Sequence, residues 1–573
     1  MLLVAALYAN ALHNPFMIDD HDIIVNHPDV VQPQGLTRLW DHDYWAGRAE
    51  DQNLYRPITI LTYHLGATRS ELRPASFRAI NIVLLGGVAV LGAMWTGRYV
   101  QPSIAWATAL LFAAHPLHTE SINHIVGRAD LLAMFGILGF VLALERAINS
   151  GRWTALNTLG ATVCAVLAFG SKESGWVLLP ATAVQLWIKG PTLLPRRPCH
   201  WWMTTVCALI GPALLFLIAR AAVVGLDTDY GPSTDDLTMN PLRSATFEQR
   251  LPAAISIAGH YAGQILWPDT SFNQTPTEIP SWNNPSTWLG LFVLAGTLIG
   301  LAITLRVRHW LSVPLAIMLA YYLVIGNLLI PIGTFAANRL AVLFVFAGSC
   351  VIAAGINWGS KRFIWVWPSA TIAIALVLIS MLLVVWRTNT DWSSTLHRMK
   401  ADVQAQPENP IALFHLGIAF AEAAENQADA ERDTSLRTRA IEFLQQTTFL
   451  RPNSWQVRKN LAAAATAAGV FDLARDQYQW MLDRHPEHFN ALKNLGSLSI
   501  AEQKFQMADH YLRFAAQIDA TDKQVMHNLA VLAVNQGELD LAIERYHALL
   551  QRYPEHESGR KQLNQVKKAL KHK

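Results

Sequence analysis

The chain has 573 residues, with 45 Lys and Arg against 42 Asp and Glu, 52% apolar and only 15% charged residues. Charge this balanced excludes a binder driven by attraction to a phosphate backbone, and a composition this apolar excludes a disordered chain. The mean hydropathy of +0.22 averages two unlike parts, because 18 of the 20 tryptophans precede residue 400 and the composition breaks near Trp392.

The first apolar run, LLVAALYANAL, follows Met1 with no basic stretch that would mark a cleavable signal. About a dozen residues at 1.5 Å each reach only ~18 Å of a ~30 Å hydrocarbon core, so a first helix beginning upstream of Met1 is expected. Residues 79–97, 103–117, 129–148, 154–170, 176–189, 203–224, 287–305, 310–331, 335–357 and 362–386 are long enough and apolar enough to be read as spans, eleven with the first helix. Arg98, Arg146, Arg152, Lys189, Arg196, Arg197, Arg306, Arg308, Lys361 and Arg362 then fall on one side, the cytoplasmic one by the positive-inside rule. Residues 252–267 are expected to be re-entrant or interfacial, because a further crossing would put an acidic loop lacking Lys and Arg inside. All four cysteines lie in or beside apolar segments, which implies packing rather than a disulfide framework.

Four polar clusters fall on the opposite, outer face, where charge beside spans is expensive and therefore a functional signal. The first holds Asp19 and Asp20; such carboxylates act as a general base or hold a divalent cation, and equally cap a following helix. The second holds Tyr55, Arg56 and Pro57, where Arg56 binds a phosphate or snorkels. The third packs His115, His118, Glu120, His124, Arg128 and Asp130 into sixteen residues; the His pair permits metal ligation, and a hydrogen-bonded polar cavity is the favoured reading. The fourth is GSKESG, in which Lys172 suits a lipid-linked phosphate or is neutralised by its neighbour Glu173. Asn240, Pro241, Arg250, Asn338 and Arg339 join them from later loops. No Walker loop, G-x-S-x-G or H-E-x-x-H occurs.

The tail is periodic. Pro452, Pro486, Ala520 and Pro554 are 34 residues apart, as are Ala462, Gly496 and Ala530, and Ala474, Ala508 and Ala542. That period, with small residues where paired helices approach, is the signature of a tetratricopeptide (TPR) solenoid. An earlier copy holds Pro407, Gly417 and Ala440, with about eleven extra residues expected to lengthen its inter-helix turn. The expected fold is all-α: a polytopic domain over 1–390, and a TPR domain over 401–573 of four repeats plus a closing helix.

In order, FMIDDHDIIVNHP, YRPITILTYHL, HPLHTESINHIVGRADLLA, SKESG, MNPL, ILWPDTSFN, NRL and the stretch from DWSSTLHRMK into the repeats resemble the transmembrane and TPR-containing O-mannosyltransferases and their prokaryotic relatives, membrane glycosyltransferases of GT-C type. The resemblance implies transfer of mannose or a similar hexose from a polyprenyl-phosphate carrier to Ser or Thr of a polypeptide. Asp19 and Asp20 become the catalytic candidates. Arg56, Arg128, Lys172 and Arg339 become donor-phosphate candidates, and Tyr55, His115, His118, Glu120, Asp130 and Glu173 the polar cavity. The family commonly carries an acidic residue before the last Arg, where this chain has Asn338. The carrier is a substrate; no cofactor is implied, and a divalent cation stays open. Membrane lipid and an acceptor polypeptide held in the TPR groove are the expected partners, nucleic acid is not, and a prokaryotic plasma membrane is the expected location. A transferase acting on lipid or surface glycan, and a non-enzymatic membrane-anchored scaffold, are the rival readings.

Overall fold

The computed structural model describes residues 1–32, 34–46, 54–193, 197–225, 240–272, 274–425, 427 and 429–571. It is helical throughout, with no strand among the described residues, and separates into a unit ending at Gln406 and a second from Pro407 to Lys573.

The first unit opens with α1 (Leu2–Leu7), a tight turn Ala9–His13 and a π-turn His21–Val25, then the short α2 (Pro28–Val31) and α3 (Gly35–Arg38). Longer helices follow: α4 (Pro57–Ser70), α5 (Pro74–Thr96), α6 (Pro102–Ala113), the short α7 (His118–Asn123), α8 (Arg128–Ser150), α9 (Ala155–Ser171), α10 (Leu178–Leu193) and α11 (Cys199–Val223). Beyond them come α12 (Phe247–Leu266), α13 (Pro285–Arg306), α14 (Ser312–Ile325), α15 (Val342–Ser360), α16 (Val366–Asp391) and α17 (Thr395–Ala405). Local chemistry sets many of these starts. Proline occupies the first turn of α4, α5, α6 and α13, where its missing N–H costs nothing. Thr154, Asn284 and the capping box of Thr246 with Gln249 satisfy the open N–H groups of α9, α13 and α12.

Six segments are long and apolar enough to cross a membrane: Pro74–Thr96, Ile125–Ser150, Cys199–Val223, Pro285–Arg306, Asn338–Ser360 and Val366–Asp391; α6, α9 and α14 are shorter apolar helices. These are helices of a membrane protein, and their burial sorts them. The most apolar window of Ile125–Ser150 is 89% buried, whereas those of α13 and α16 are 11% buried. A helix apolar all round is interior or lipid-facing, so α8 is the axis of the unit, and α13 and α16 turn Phe292, Ile299, Ile372 and Leu383 outward.

Close packing depends on a few glycines. At the α8–α9 contact a Cβ on Gly136 would lie 2.4 Å from the Cys164 carbonyl oxygen. At the α12–α13 crossing a Cβ on Gly259 would lie 2.0 Å from the Ser286 oxygen, and one on Gly290 1.9 Å from the Ile255 oxygen. Helix α12 carries residues 252–266, and Pro252 to Gly259 are buried against neighbouring helices.

Polar contacts define two ends. At one, Arg78 near the start of α5 donates to the carbonyls of Asn14, Pro15 and Asn123, and Arg128 at the start of α8 donates to the Phe77 carbonyl. At the other, Glu145 late in α8 accepts from the Tyr99 hydroxyl at 2.8 Å and faces Arg98 and Lys189.

The second unit stacks helix pairs: α18 (Pro410–Glu425) with α19 (Ala430–Leu450), α20 (Trp455–Ala467) with α21 (Phe471–Arg484), α22 (Phe489–Ala501) with α23 (Phe505–Ile518), and α24 (Lys523–Asn535) with α25 (Leu539–Arg552), closed by α26 (Glu557–Lys571). Ala440, Ala474, Ala508 and Ala542 are fully buried at equivalent positions. Gly417 and Gly496 admit Leu444 and Leu512, whose Cγ atoms would lie 2.8 and 2.5 Å from an added Cβ. The insertion in the first pair is a correction to the sequence reading. It extends helices, since α19 has 21 residues where its counterparts α21, α23 and α25 have 14. Asp429 accepts from the Glu431 and Arg432 N–H groups at its start and Arg437 pairs with Asp433 one turn on, so residues composed like a loop form helix.

Candidate active site

A cavity of about 390 Å³ opens in the membrane unit at the end marked by Arg78 and Arg128, lined by Asp19, Arg56, Asp130, Lys172, Glu173, Arg243 and Arg339 with Tyr44, Trp45 and apolar residues. Its charged side chains come from the turn after α1, the approach to α4, the start of α8, the link after α9, the turn before α12 and the entry to α15. Three salt bridges hold the wall. Arg56 Nη2 lies 2.6 Å from Glu173 Oε2, and Arg56 Nε donates to the same carboxylate at 3.1 Å. Lys172 Nζ lies 2.6 and 2.7 Å from the two oxygens of Asp130. Arg339 Nη1 lies 2.6 Å from Glu120 Oε1, and its backbone N–H donates to Oε2.

The pairs also set the charge states. Burial alone drives the Glu173 carboxyl upward, and the Arg56 guanidinium overrides it, leaving the group below the usual carboxylate range. Burial pushes Glu120 up, against the opposing pull of Arg339. Lys172 is drawn down by desolvation, with Asp130 resisting.

The two aspartates part company. Asp19 lines the cavity, its carboxylate 38% exposed, with His124 Nε2 3.7 Å from Oδ2. His124 is fully buried, stacked on Trp392 at 6.1 Å and edge-on to Phe272, and burial holds its imidazole neutral. Asp20 is fully buried and accepts the N–H groups of Met17 and Val126 at 3.2 and 3.1 Å. Burial pushes its carboxyl up to about 7, against those N–H groups and Arg78. It fixes the turn that presents its neighbour.

Other expected residues lie elsewhere. Arg128 is fully buried and is absent from the cavity lining; it donates to Asn81, Thr62 and Phe77 and lies 4.7 Å above the Tyr63 ring, so its fork is spent inside the protein. The Tyr55 hydroxyl donates to the Trp40 carbonyl. His115 is within hydrogen-bond reach of the Ile265 carbonyl, and His118 packs 4.8 Å from the Phe112 ring, so neither joins the cavity wall. Among the described residues no group of three or more His, Cys, Asp or Glu is placed to hold a metal ion. Asn338 donates to the carbonyls of Asp269 and Ser271, leaving Arg339 beside it on the cavity. In the last large loop Asn240 donates to Ile332 and Asn327, and Arg243, three residues on, lines the cavity. Arg243 adjoins the motif MNPL, and His124 sits inside a histidine-rich run where nothing local distinguishes it.

Among curated proteins, the chain is 24% identical over 600 residues to protein O-mannosyl-transferase TMTC3 of Mus musculus and 25% identical over 601 to that of Homo sapiens, covering 95% of this chain and 61% and 62% of theirs. It is 27% identical over 477 residues to protein O-mannosyl-transferase TMTC4 of Mus musculus, covering 74% of this chain and 63% of that one. The chain thus spans about three fifths of the length of these relatives. No family model matches it. Among solved structures, the crystal structure of MamA protein aligns with 30% of this chain and 88% of its own at 18% identity, with a TM-score of 0.25.

Proposed function

We propose, from the premise that this chain belongs to the transmembrane and TPR-containing O-mannosyltransferase family, that it is a membrane glycosyltransferase moving mannose or a similar hexose from a polyprenyl-phosphate carrier to Ser or Thr hydroxyls of a polypeptide. The observation that carries the reading is the joining of Asp19 with Arg56, Lys172, Arg243 and Arg339 in one cavity at the ends of apolar helices. Asp19 takes the proton of the acceptor hydroxyl as its oxygen attacks the anomeric carbon. The bond to the carrier phosphate breaks with inversion, and the carrier departs as a polyprenyl phosphate. The cations stabilise the charge gathering on that leaving oxygen. Neutral His124, 3.7 Å from the Asp19 carboxylate, puts no competing positive charge beside it. The carrier's tail stays in the bilayer, the reaction takes place on the non-cytoplasmic face, and the helix pairs of the second unit hold an extended acceptor.

The test uses the full chain purified in detergent, a polyprenyl-phosphate mannose labelled in the sugar and a Thr-rich peptide. Asp19→Asn is expected to lower transfer by about 10²-fold or more, the size of a lost general base, with the elution profile of the protein unchanged. Transfer at the wild-type rate in that variant rejects the assigned base. Label recovered only in lipid or glycan rejects the polypeptide acceptor, and no transfer to any acceptor by the wild type favours the scaffold reading.

A further inference from the structure

We infer that the end of the membrane unit remote from the Asp19 cavity carries a binding site for an anionic phospholipid. A groove of about 760 Å³ runs there between α5, α8 and α9, separate from the cavity just described. Asp130 and Arg146 are both on α8, one lining the cavity and the other the groove, and sixteen residues of helix set them ~24 Å apart along its axis.

The groove has two chemistries. Its floor is apolar: Leu91, Met94, Phe135 and Leu156 line it, with Met94 40% and Leu156 81% exposed. Gly160 opens it further, since a Cβ there would meet nothing within 4 Å. Its mouth is cationic, lined by Arg98, Arg146 and Arg152. Glu145 is the carboxylate at this end that faces Arg98, at 3.6 Å, and it is shared with Lys189 at 3.5 Å. Arg146 and Arg152 are exposed and have no carboxylate within 4.0 Å among the described residues.

This combination selects the ligand. A guanidinium grips phosphate oxygens with paired N–H donors, so two or three at one mouth suit a phosphodiester. The cationic excess disfavours a headgroup that brings its own ammonium. The apolar floor at membrane depth calls for an acyl chain below the phosphate, which a free anion lacks. Asymmetric placement of Arg in loops requires charge alone; it does not require those charges to converge on an apolar groove.

The experiment is native mass spectrometry of the full chain in detergent with equimolar phosphatidylglycerol and phosphatidylcholine of identical acyl chains. Retention of phosphatidylglycerol over phosphatidylcholine is expected, and R146Q/R152Q is expected to reduce that preference on the order of tenfold, the effect of removing two interfacial cations. R306Q/R308Q removes equal charge at the end of α13, outside the groove, and is expected to leave the preference intact. G160L narrows the floor without touching charge and is expected to weaken phosphatidylglycerol retention. Equal retention of the two lipids in the wild type overturns the inference. So does a preference abolished as readily by R306Q/R308Q as by R146Q/R152Q, and full retention in G160L overturns the seating of the acyl chain. Unchanged thermal midpoints in the variants confirm that a loss is not a loss of fold.

Discussion

Asp20 lies one peptide bond from the proposed base and is turned the other way. Its side chain points into the protein and accepts backbone N–H groups, and an amide in its place leaves one of those donors without an acceptor, at a cost of about 1–3 kcal/mol. The linkage runs against the usual carboxylate case. The folded group titrates at about 7 and the unfolded one at about 3.9, so between those values the folded state binds the extra proton. Stability therefore falls as pH rises through that window and is level above it. Thermal unfolding of the detergent-solubilised full chain from pH 4 to 8 is expected to show this slope, and Asp20→Asn to flatten it while lowering the midpoint; parallel slopes would remove the assignment. Residue types near the spans told where charge gathers, since Asp19, Arg56, Lys172 and Arg339 all reach one cavity. Partnership was illegible. Adjacent Lys172 and Glu173 look self-neutralising, yet they face different partners, 42 residues away at Asp130 and 117 away at Arg56. Arg128 shows a related limit: an Arg at the mouth of a span has the same sequence context whether its fork meets a ligand or four internal acceptors.

Among the elements, the α12–α13 crossing shows what helix geometry demands of sequence. Two glycines let the backbones touch, and a methyl group at either has nowhere to go because the obstacle is a carbonyl rather than a side chain. Gly290→Ala is expected to destabilise the unit by about 1–3 kcal/mol or more, the range for forcing volume into a packed interior. Gly263→Ala, one turn beyond Gly259 on α12 with open space at its Cβ, is the matched control and is expected to be neutral or slightly stabilising. Unfolding in a graded SDS series checks both; similar midpoints for the two variants would mean that the helices part freely. Hydropathy located these helices, but could not rank them by depth. Helices α8 and α13 are comparably apolar and differ eightfold in burial. What separates them is tertiary: polar and small residues such as Asp130, Gly136 and Glu145 commit α8 to protein neighbours, whereas the outward face of α13 offers lipid only side chains that lipid accepts.

For the molecule as a whole, two solvents divide the chain. The helix pairs after Gln406 carry their own buried clusters, around Tyr478 and Leu495 and around Tyr546 and Leu549. A fragment from Pro407 to Lys573 is expected to be soluble, helical and cooperative in urea, with full far-ultraviolet ellipticity, and aggregation or a non-cooperative melt would show that it depends on the membrane unit. The 34-residue repeat made this part readable because each copy restates the same packing rule. The membrane unit restates nothing; its cavity is assembled from segments that occur once each. The contact between Glu120 and Arg339 spans 219 residues, so a nascent chain halted before Arg339 has already committed Glu120 with no cation to receive it. Completion of the cavity thus waits for the entry to α15 to emerge from the ribosome.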